Sequence, residues 1–135
     1  MRGSAGHISW HGNHAGSIAG EPQLALRLCE NVNSPYFGVL YEPCNLLFGG
    51  VDYREALDVF GDWIVHCYIK DGIVRDGKSQ KLHPGESDVN FVWVVEQLDG
   101  ADYRGDYALE YELAAVEPPE TGIKRWHDTF VAAFE

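Results

Sequence analysis

Short apolar segments alternate with longer amphipathic segments along this chain, and that alternation narrows the folds open to it. Four segments have the length and composition of β-strands: His7–His11, Phe37–Glu42, Ile64–Lys70 and Asp106–Tyr111. A segment with apolar residues at helical spacing follows each of them. Strands and helices in alternation predict an α/β fold with a parallel sheet and right-handed crossovers. The pattern alone would allow a small open α/β sandwich.

The size and charge of the chain exclude several classes of protein. The chain has 135 residues and a formal net charge of −11. We expect residues 7–135 to form one domain, because Met1-Arg2-Gly3-Ser4 resembles an expression-vector leader. Residues 1–6 are predicted to be disordered or vector-derived. The negative charge repels phosphate backbones, which argues against nucleic-acid binding. No apolar run approaches the ~20 residues of a membrane span.

The cysteines indicate the cellular compartment. Cys29, Cys44 and Cys67 are odd in number and lack paired-ligand spacing. They predict reduced thiols rather than a disulfide framework or a zinc site. Nothing at the start resembles a signal peptide. These features together predict a cytoplasmic protein.

The predicted helices carry apolar stripes that should face the core. We expect Asp52 to cap the second helix, Ser87 or Asp88 to cap the third, and a long loop to span Asp71–Ser87. The residues expected on the buried faces are, helix by helix, Leu24, Leu28 and Val32; Ala56, Leu57 and Phe60; Phe91, Val94, Val95 and Leu98; and Ile123, Trp126, Phe130, Val131 and Phe134.

Polar motifs stand at the ends of the predicted strands. They are Glu42-Pro43-Cys44-Asn45-Leu46, His66-Cys67-Tyr68-Ile69-Lys70-Asp71, Gly85-Glu86-Ser87-Asp88 and Tyr103-Arg104-Gly105-Asp106-Tyr107-Ala108-Leu109-Glu110. In order and spacing they resemble the last four βα units of the sugar phosphate isomerase/epimerase family, a xylose-isomerase-like TIM barrel. The resemblance implies the C-terminal half of a (β/α)8 barrel, with four βα units and a parallel sheet.

The resemblance also implies a divalent metal. In the family, a Glu, an Asp, a His and a Glu from four successive strands usually hold an ion that polarises adjacent sugar oxygens for proton transfer. The fourth-strand glutamate falls on Glu110, and Glu42 replaces the second-strand aspartate. Tyr68 stands where the third-strand histidine should be, and a neutral phenol is a poor ligand. The first-strand glutamate falls on Ser9 or Gly12, according to which loop histidine is matched.

Glu42 and Glu110 are therefore the predicted metal ligands, and with Lys70 the predicted catalytic residues. His11, His14 and His66 are further candidate ligands that could rebuild a site; the alternatives are a polar loop and a hydrogen-bonded interior histidine. The implied cofactor is Mn, Mg, Co or Zn, bound weakly or not at all. The residues implied to contact substrate are Asn45, His66, Lys70, Asp71 and Glu86. Lys70 could instead form an ion pair with Asp71 or Glu110.

Two functions of different class stay open. One is a metal-dependent isomerase or epimerase that acts on a keto-sugar or sugar phosphate. The other is a non-catalytic half-barrel that binds carbohydrate, serves assembly, or is a truncated pseudoenzyme. The endonuclease IV-like nucleases are a third candidate, opposed by the charge and the missing ligands. Half a barrel would leave two unpaired sheet edges, so we expect a homodimer or a complementary N-terminal half-barrel chain.

Overall fold

The computed structural model describes residues 9–14 and 16–135, and its centre is a parallel sheet. The strands are β1 (Ser9–Gly12), β2 (Phe37–Tyr41), β3 (Ile64–Ile69), β4 (Asp71–Arg75), β5 (Lys78–Leu82) and β6 (Tyr107–Leu109). The main sheet has the order β1-β2-β3-β6, and every neighbouring pair in it is parallel. The predicted α/β fold is confirmed. The predicted leader, residues 1–6, and the first two residues of the predicted first strand lie outside the described residues.

The described part of the chain also contains five α-helices, four between strands and one after the last strand. They are α1 (Pro22–Val32), α2 (Pro43–Phe48), α3 (Tyr53–Phe60), α4 (Phe91–Gly100) and α5 (Pro119–Ala132). Proline opens α1, α2 and α5, where a missing N–H costs nothing. As predicted, Asp52 caps α3 by accepting a hydrogen bond from Arg54 N at 2.8 Å. The cap of α4 is Asn90, which accepts from Trp93 N, so the prediction of Ser87 or Asp88 was wrong.

The core lies between the sheet and the helices that cover one of its faces. Its strand residues include Val39, Tyr41, Cys67 and Ile69. The predicted buried faces of α3 and α4 are confirmed, since all their named residues are buried. The opposite face of the sheet, which we call the inner face, carries the alternate residues of each strand, among them His66, Tyr68 and Lys70 of and just after β3.

The apolar faces predicted for α1 and α5 are buried only in part, and Leu24 and Leu28 of α1 are half-buried. In α1 the buried residues are Ala25 and Cys29, while Val32 is 44% exposed. In α5 only Trp126 of the predicted stripe is fully buried. Ile123, Val131 and Phe134 are exposed by 49%, 40% and 44%. An apolar stripe shows which residues of a helix can be buried. Which of them are buried depends on the elements that pack against the helix.

The segment predicted as one long loop contains an antiparallel hairpin. Strands β4 and β5 pair from Asp71 opposite Leu82 to Arg75 opposite Lys78. Asp76 and Gly77 form the turn, with φ of +49° and +71°. Two consecutive positive φ angles are what a two-residue hairpin turn of the Asp-Gly type requires. The hairpin lies against α2 and begins directly after β3, so it borders the C-terminal end of the sheet.

None of the described helices is long and apolar enough to cross a membrane.

Candidate functional site

The ammonium group of Lys70 lies at the meeting point of three carboxylates on the inner face. Its Nζ is 2.6 Å from Glu42 Oε1, 2.6 Å from Glu110 Oε2 and 2.8 Å from Glu112 Oε2. The other carboxylate oxygen of Glu112 accepts from Lys81 Nζ of the hairpin at 2.8 Å. We call these five residues, Glu42, Lys70, Lys81, Glu110 and Glu112, the lysine–carboxylate centre.

Strand order explains why residues far apart in sequence converge here. Glu42 follows β2, Lys70 follows β3, and Glu110 and Glu112 follow β6. These strands are parallel neighbours, so their carboxyl ends meet at one edge of the sheet. In open parallel sheets and barrels, ligands bind at that edge.

Asn13 fixes the backbone at the start of this centre. Its side chain is buried, with 1% exposure. Its Oδ1 accepts a hydrogen bond from Glu42 N at 3.1 Å, and its Nδ2 donates to the carbonyl oxygen of Ala19. The loop after β1 is thereby tied to the end of β2, which holds the Glu42 side chain over the inner face.

Charge balance determines how the centre holds its protons. Three carboxylates share two ammonium groups, so the centre favours one additional proton. Glu42 is 1% exposed. Burial, followed by the hydrogen bond with the Glu110 carboxyl, raises the pKa of Glu42 to about 7 even though Lys70 opposes the shift. A carboxyl with this pKa exchanges a proton readily at neutral pH.

Lys70 and Glu112 keep their charges at neutral pH. Burial lowers the pKa of Lys70, but its hydrogen bonds to Glu110, Glu112 and Glu42 outweigh burial and raise the pKa overall. Burial raises the pKa of Glu112, and the two lysines that contact it outweigh that effect and lower it. Lys70 is therefore a fixed positive charge beside a carboxyl that can gain or lose a proton.

The three predicted histidines do not come together. His66 lies on the inner face, where its ring stacks on Trp10 at 5.3 Å and meets the edge of Tyr68 at 5.2 Å. His11 lies on the helix-covered face, with Nε2 3.6 Å from Cys29 Sγ of α1, and burial lowers its pKa. A site shared by His11 and His66 is therefore ruled out by strand alternation.

His14 and Asn45 contact one another near the strand ends. The distance from Asn45 Nδ2 to His14 Nδ1 is 3.3 Å. His14 belongs to the loop after β1, and Asn45 to the first turn of α2. His14 was predicted as a metal ligand and Asn45 as a substrate contact. In the structure these two side chains contact each other.

Asp71 and Glu86 were both predicted to contact substrate. In the structure they bind the hairpin and the segments next to it. Asp71 is 2% exposed and accepts hydrogen bonds from the backbone N–H groups of Gly72, Gly85 and Val89 and from the Ser87 hydroxyl. Glu86 forms an ion pair with Arg125 of α5 at 2.7 Å. Their contacts connect the hairpin, residues 83–89 and α5. The predicted alternative of a Lys70–Asp71 ion pair is likewise replaced by the pairs with glutamates.

Sequence reasoning missed three members of this region: Glu112, Lys81 and Asn13. The alternation of Glu110 and Glu112 placed both on the inner face, which was signal enough to include Glu112. Lys81 lay in the segment predicted as a loop, so its position beside Glu112 could not be foreseen. Asn13 had no signal beyond its place in the polar segment after the first strand.

Comparison with known proteins identifies the family. The sequence pattern of the xylose isomerase-like TIM barrel matches residues 8–130. The chain belongs to this family. An inosose dehydratase from Geobacillus thermodenitrificans is 28% identical over 87% of the chain and 45% of its own length. An inosose dehydratase from Lactiplantibacillus plantarum is 25% identical over 78% of the chain and 40% of its own length.

Solved structures agree on the fold. A xylose isomerase domain protein from Planctomyces limnophilus superposes with a TM-score of 0.74 at 22% identity, covering 94% of this chain and 45% of its own. A xylose isomerase-like TIM barrel protein from Mycobacterium smegmatis, in complex with magnesium, gives a TM-score of 0.72 at 16% identity, with coverage of 93% and 44%. The chain thus spans slightly less than half the length of these relatives, as the predicted half-barrel requires.

The residues present do not fit the divalent metal that the xylose isomerase-like family implies. Glu42 and Glu110, at the family's ligand positions, both hold the Lys70 ammonium. No imidazole in the described part of the chain contacts them: Tyr68 occupies the third-strand position, and the His66 ring stacks on Trp10. The described residues contain no group of three His, Cys, Asp or Glu side chains arranged to hold an ion. No chemical step is therefore assigned to a metal here.

Proposed function

We propose that this chain forms the C-terminal half of a xylose isomerase-like barrel that moves a proton on the carbon beside the carbonyl of a keto-sugar or sugar phosphate. The observation that carries the proposal is the Lys70 ammonium, 2.6 Å from both Glu42 and Glu110 at the carboxyl ends of parallel strands. A fixed cation and two carboxylates in one place are the parts that enolisation needs.

Three members of the centre have separate roles in this proposal. Glu42 takes or returns the proton, because its raised pKa of about 7 matches neutral pH. Glu110, its neighbour across Lys70, accepts or supplies the second proton. Lys70 donates a hydrogen bond to the substrate oxygen on which negative charge develops, and so stabilises the enolate. In this proposal Asn45 of α2 and His66 of β3 contact sugar hydroxyls.

The relatives support the choice of reaction class. The curated relatives include inosose dehydratases, and the similar structures include a 3-keto-D-glucoside 4-epimerase and a D-tagatose 3-epimerase-like protein. Dehydration and epimerisation of a ketone both begin with loss of a proton from the adjacent carbon. The shared first step, rather than any one product, is what we carry over to this chain.

A non-catalytic carbohydrate-binding half-barrel is the second candidate. Tyr68 in place of the family's third-strand histidine favours it, and so does Gly12 or Ser9 in place of the first-strand glutamate. In this case the centre would bind a sugar by its charges and hydroxyl contacts without proton transfer.

Hydrogen exchange at carbon separates the two candidates. The chain is incubated in D₂O with a set of keto-sugars and keto-polyols, including inosose, and deuterium in the carbon beside the carbonyl is followed by NMR. We expect catalysed incorporation by the wild type and a loss of about 100-fold or more in Glu42→Gln. Glu96→Gln, which changes an exposed glutamate of α4, is the matched control and should match the wild type. Saturable sugar binding without any exchange would favour the non-catalytic candidate.

A further inference from the structure

A histidine outside the candidate site joins the end of the hairpin to α5. His83 follows β5 directly, and its side chain is only 12% exposed. Its Nδ1 accepts a hydrogen bond from Trp126 Nε1 of α5 at 2.8 Å, and its Nε2 lies 3.2 Å from Glu117 Oε2. We call these three side chains, His83, Glu117 and Trp126, the histidine latch.

The partners of His83 determine where its proton lies. An indole N–H can only donate a hydrogen bond, so Nδ1 of His83 must be without a proton. The single proton of the neutral imidazole is then on Nε2, which donates it to Glu117. Trp126 is 1% exposed, so its indole N–H depends on this acceptor. The latch therefore holds one neutral tautomer of His83.

A second proton on His83 would break one side of the latch. An imidazolium ring donates from both nitrogens, so an N–H on Nδ1 would face the indole N–H of Trp126. Two donors cannot form a hydrogen bond with each other, and the buried indole would lose its acceptor. On the other side, the Glu117 carboxylate would gain an ion pair with the imidazolium. Protonation thus exchanges the bond to α5 for a stronger contact with the segment that precedes α5.

Further charged and polar groups surround the latch. Arg125 of α5 lies 3.6 Å from the Glu117 oxygen that faces His83, and its positive charge opposes a second one there. Glu86 accepts a hydrogen bond from His83 N at 3.3 Å and forms an ion pair with Arg125 at 2.7 Å. Tyr111 donates its hydroxyl to the Glu117 carbonyl oxygen at 2.6 Å. Because Glu86 and Arg125 are paired with each other, Glu117 is the principal charge that the His83 ring meets.

We propose that the histidine latch is an acid-sensitive fastening, in which neutral His83 holds the end of the hairpin against α5 and protonated His83 releases it. Imidazole side chains as a class change charge between about pH 5 and 8. The loosening should begin at α5, because Asp71 holds residues 85–89 to the hairpin by hydrogen bonds that involve no histidine. This inference is independent of the proposed function.

Two-dimensional ¹H–¹⁵N NMR of the wild-type chain tests the latch. At pH 8 the ring nitrogens of His83 should show an unprotonated Nδ1. As the pH falls to 5, we expect the indole N–H resonance of Trp126, assigned with Trp126→Phe, to move upfield with the same midpoint as the His83 ring nitrogens. A proton on Nδ1 at pH 8, a His83 that takes up no proton in this range, or an indole resonance that does not follow His83 would overturn the proposal.

His83→Asn and His127→Asn form a matched pair of variants. The asparagine oxygen can accept the indole hydrogen bond near the position of Nδ1 but carries no charge, so the Trp126 resonance should no longer depend on pH. His127 also belongs to α5 but is 66% exposed, and its substitution should leave the midpoint unchanged. A pH dependence that persists in His83→Asn, or disappears in His127→Asn, would overturn the assignment. The wild-type titration decides the proposal even if His83→Asn does not fold.

Discussion

Glu42 and Lys70 have opposite responses to the same surroundings. Burial disfavours charge on both, yet Lys70 has three carboxylate partners while Glu42 shares one ammonium with two other acids. Lys70 therefore stays charged, and Glu42 is the member of the centre that takes up a proton. The same pair would be two ordinary surface charges if the ends of β2 and β3 were exposed to water.

The Asp71 carboxylate stabilises the backbone of residues 72–89 through several hydrogen bonds. It accepts hydrogen bonds from three backbone N–H groups and one hydroxyl in residues 72–89. We expect Asp71→Asn to lower the free energy of unfolding by about 2–4 kcal/mol, because an amide places an N–H₂ group against one of these donors. Urea unfolding measures the change.

The neighbouring exposed carboxylate provides the control for that substitution. Asp88→Asn makes the same chemical change on a residue exposed at the surface, so the free energy of unfolding should change by no more than about 0.5 kcal/mol. Equal effects of the two substitutions would mean that Asp71 acts through its charge in general and not through these four hydrogen bonds.

At the level of elements, the sequence predicted what depends on local pattern. The parallel strands, the Asp52 cap and the buried faces of α3 and α4 all follow from spacing within one segment. The hairpin β4–β5 did not, because most of its side chains are exposed and polar and it therefore lacks apolar alternation. Its Asp76-Gly77 turn was a usable signal.

The missed contacts of the candidate site have a similar cause. Family positions predicted that Glu42 and Glu110 would lie together, and strand alternation placed Lys70 on the same face. That one ammonium reaches Glu42, Glu110 and Glu112 at once depends on the register of β2, β3 and β6. Register between distant strands is set by the folded sheet and is not encoded in any one segment.

For the whole molecule, the sheet is open at both sides. Among the described strands, β1 and β6 each pair on one side only. Trp10 on the inner face is 48% exposed. Unpaired edges and an exposed aromatic surface are features that soluble proteins normally cover. A second copy, or a separate N-terminal half, would pair the edges and close the barrel.

We therefore expect the isolated chain to sediment as a dimer at micromolar concentration. Trp10→Asp should shift it to monomer, because it places a charge on the edge strand β1, on the exposed inner face that the second copy would cover. Val116→Asp puts the same charge on an apolar residue that is 79% exposed outside the sheet, and should leave the dimer intact. A well-folded wild-type monomer in analytical ultracentrifugation would contradict this prediction.

The account depends most on one property, the proton held by Glu42 within the lysine–carboxylate centre. Carbon-13 NMR of the glutamate side-chain carboxyls, recorded across pH with Glu42→Gln for assignment, measures it directly. We predict that Glu42 titrates near pH 7, well above its ordinary pKa of 4.5. Since the folded pKa is the higher one, this group should also make the fold less stable as pH rises from 4.5 through 7. A Glu42 carboxyl that titrates at or below 4.5 would contradict the account, because it would hold no proton to transfer at neutral pH.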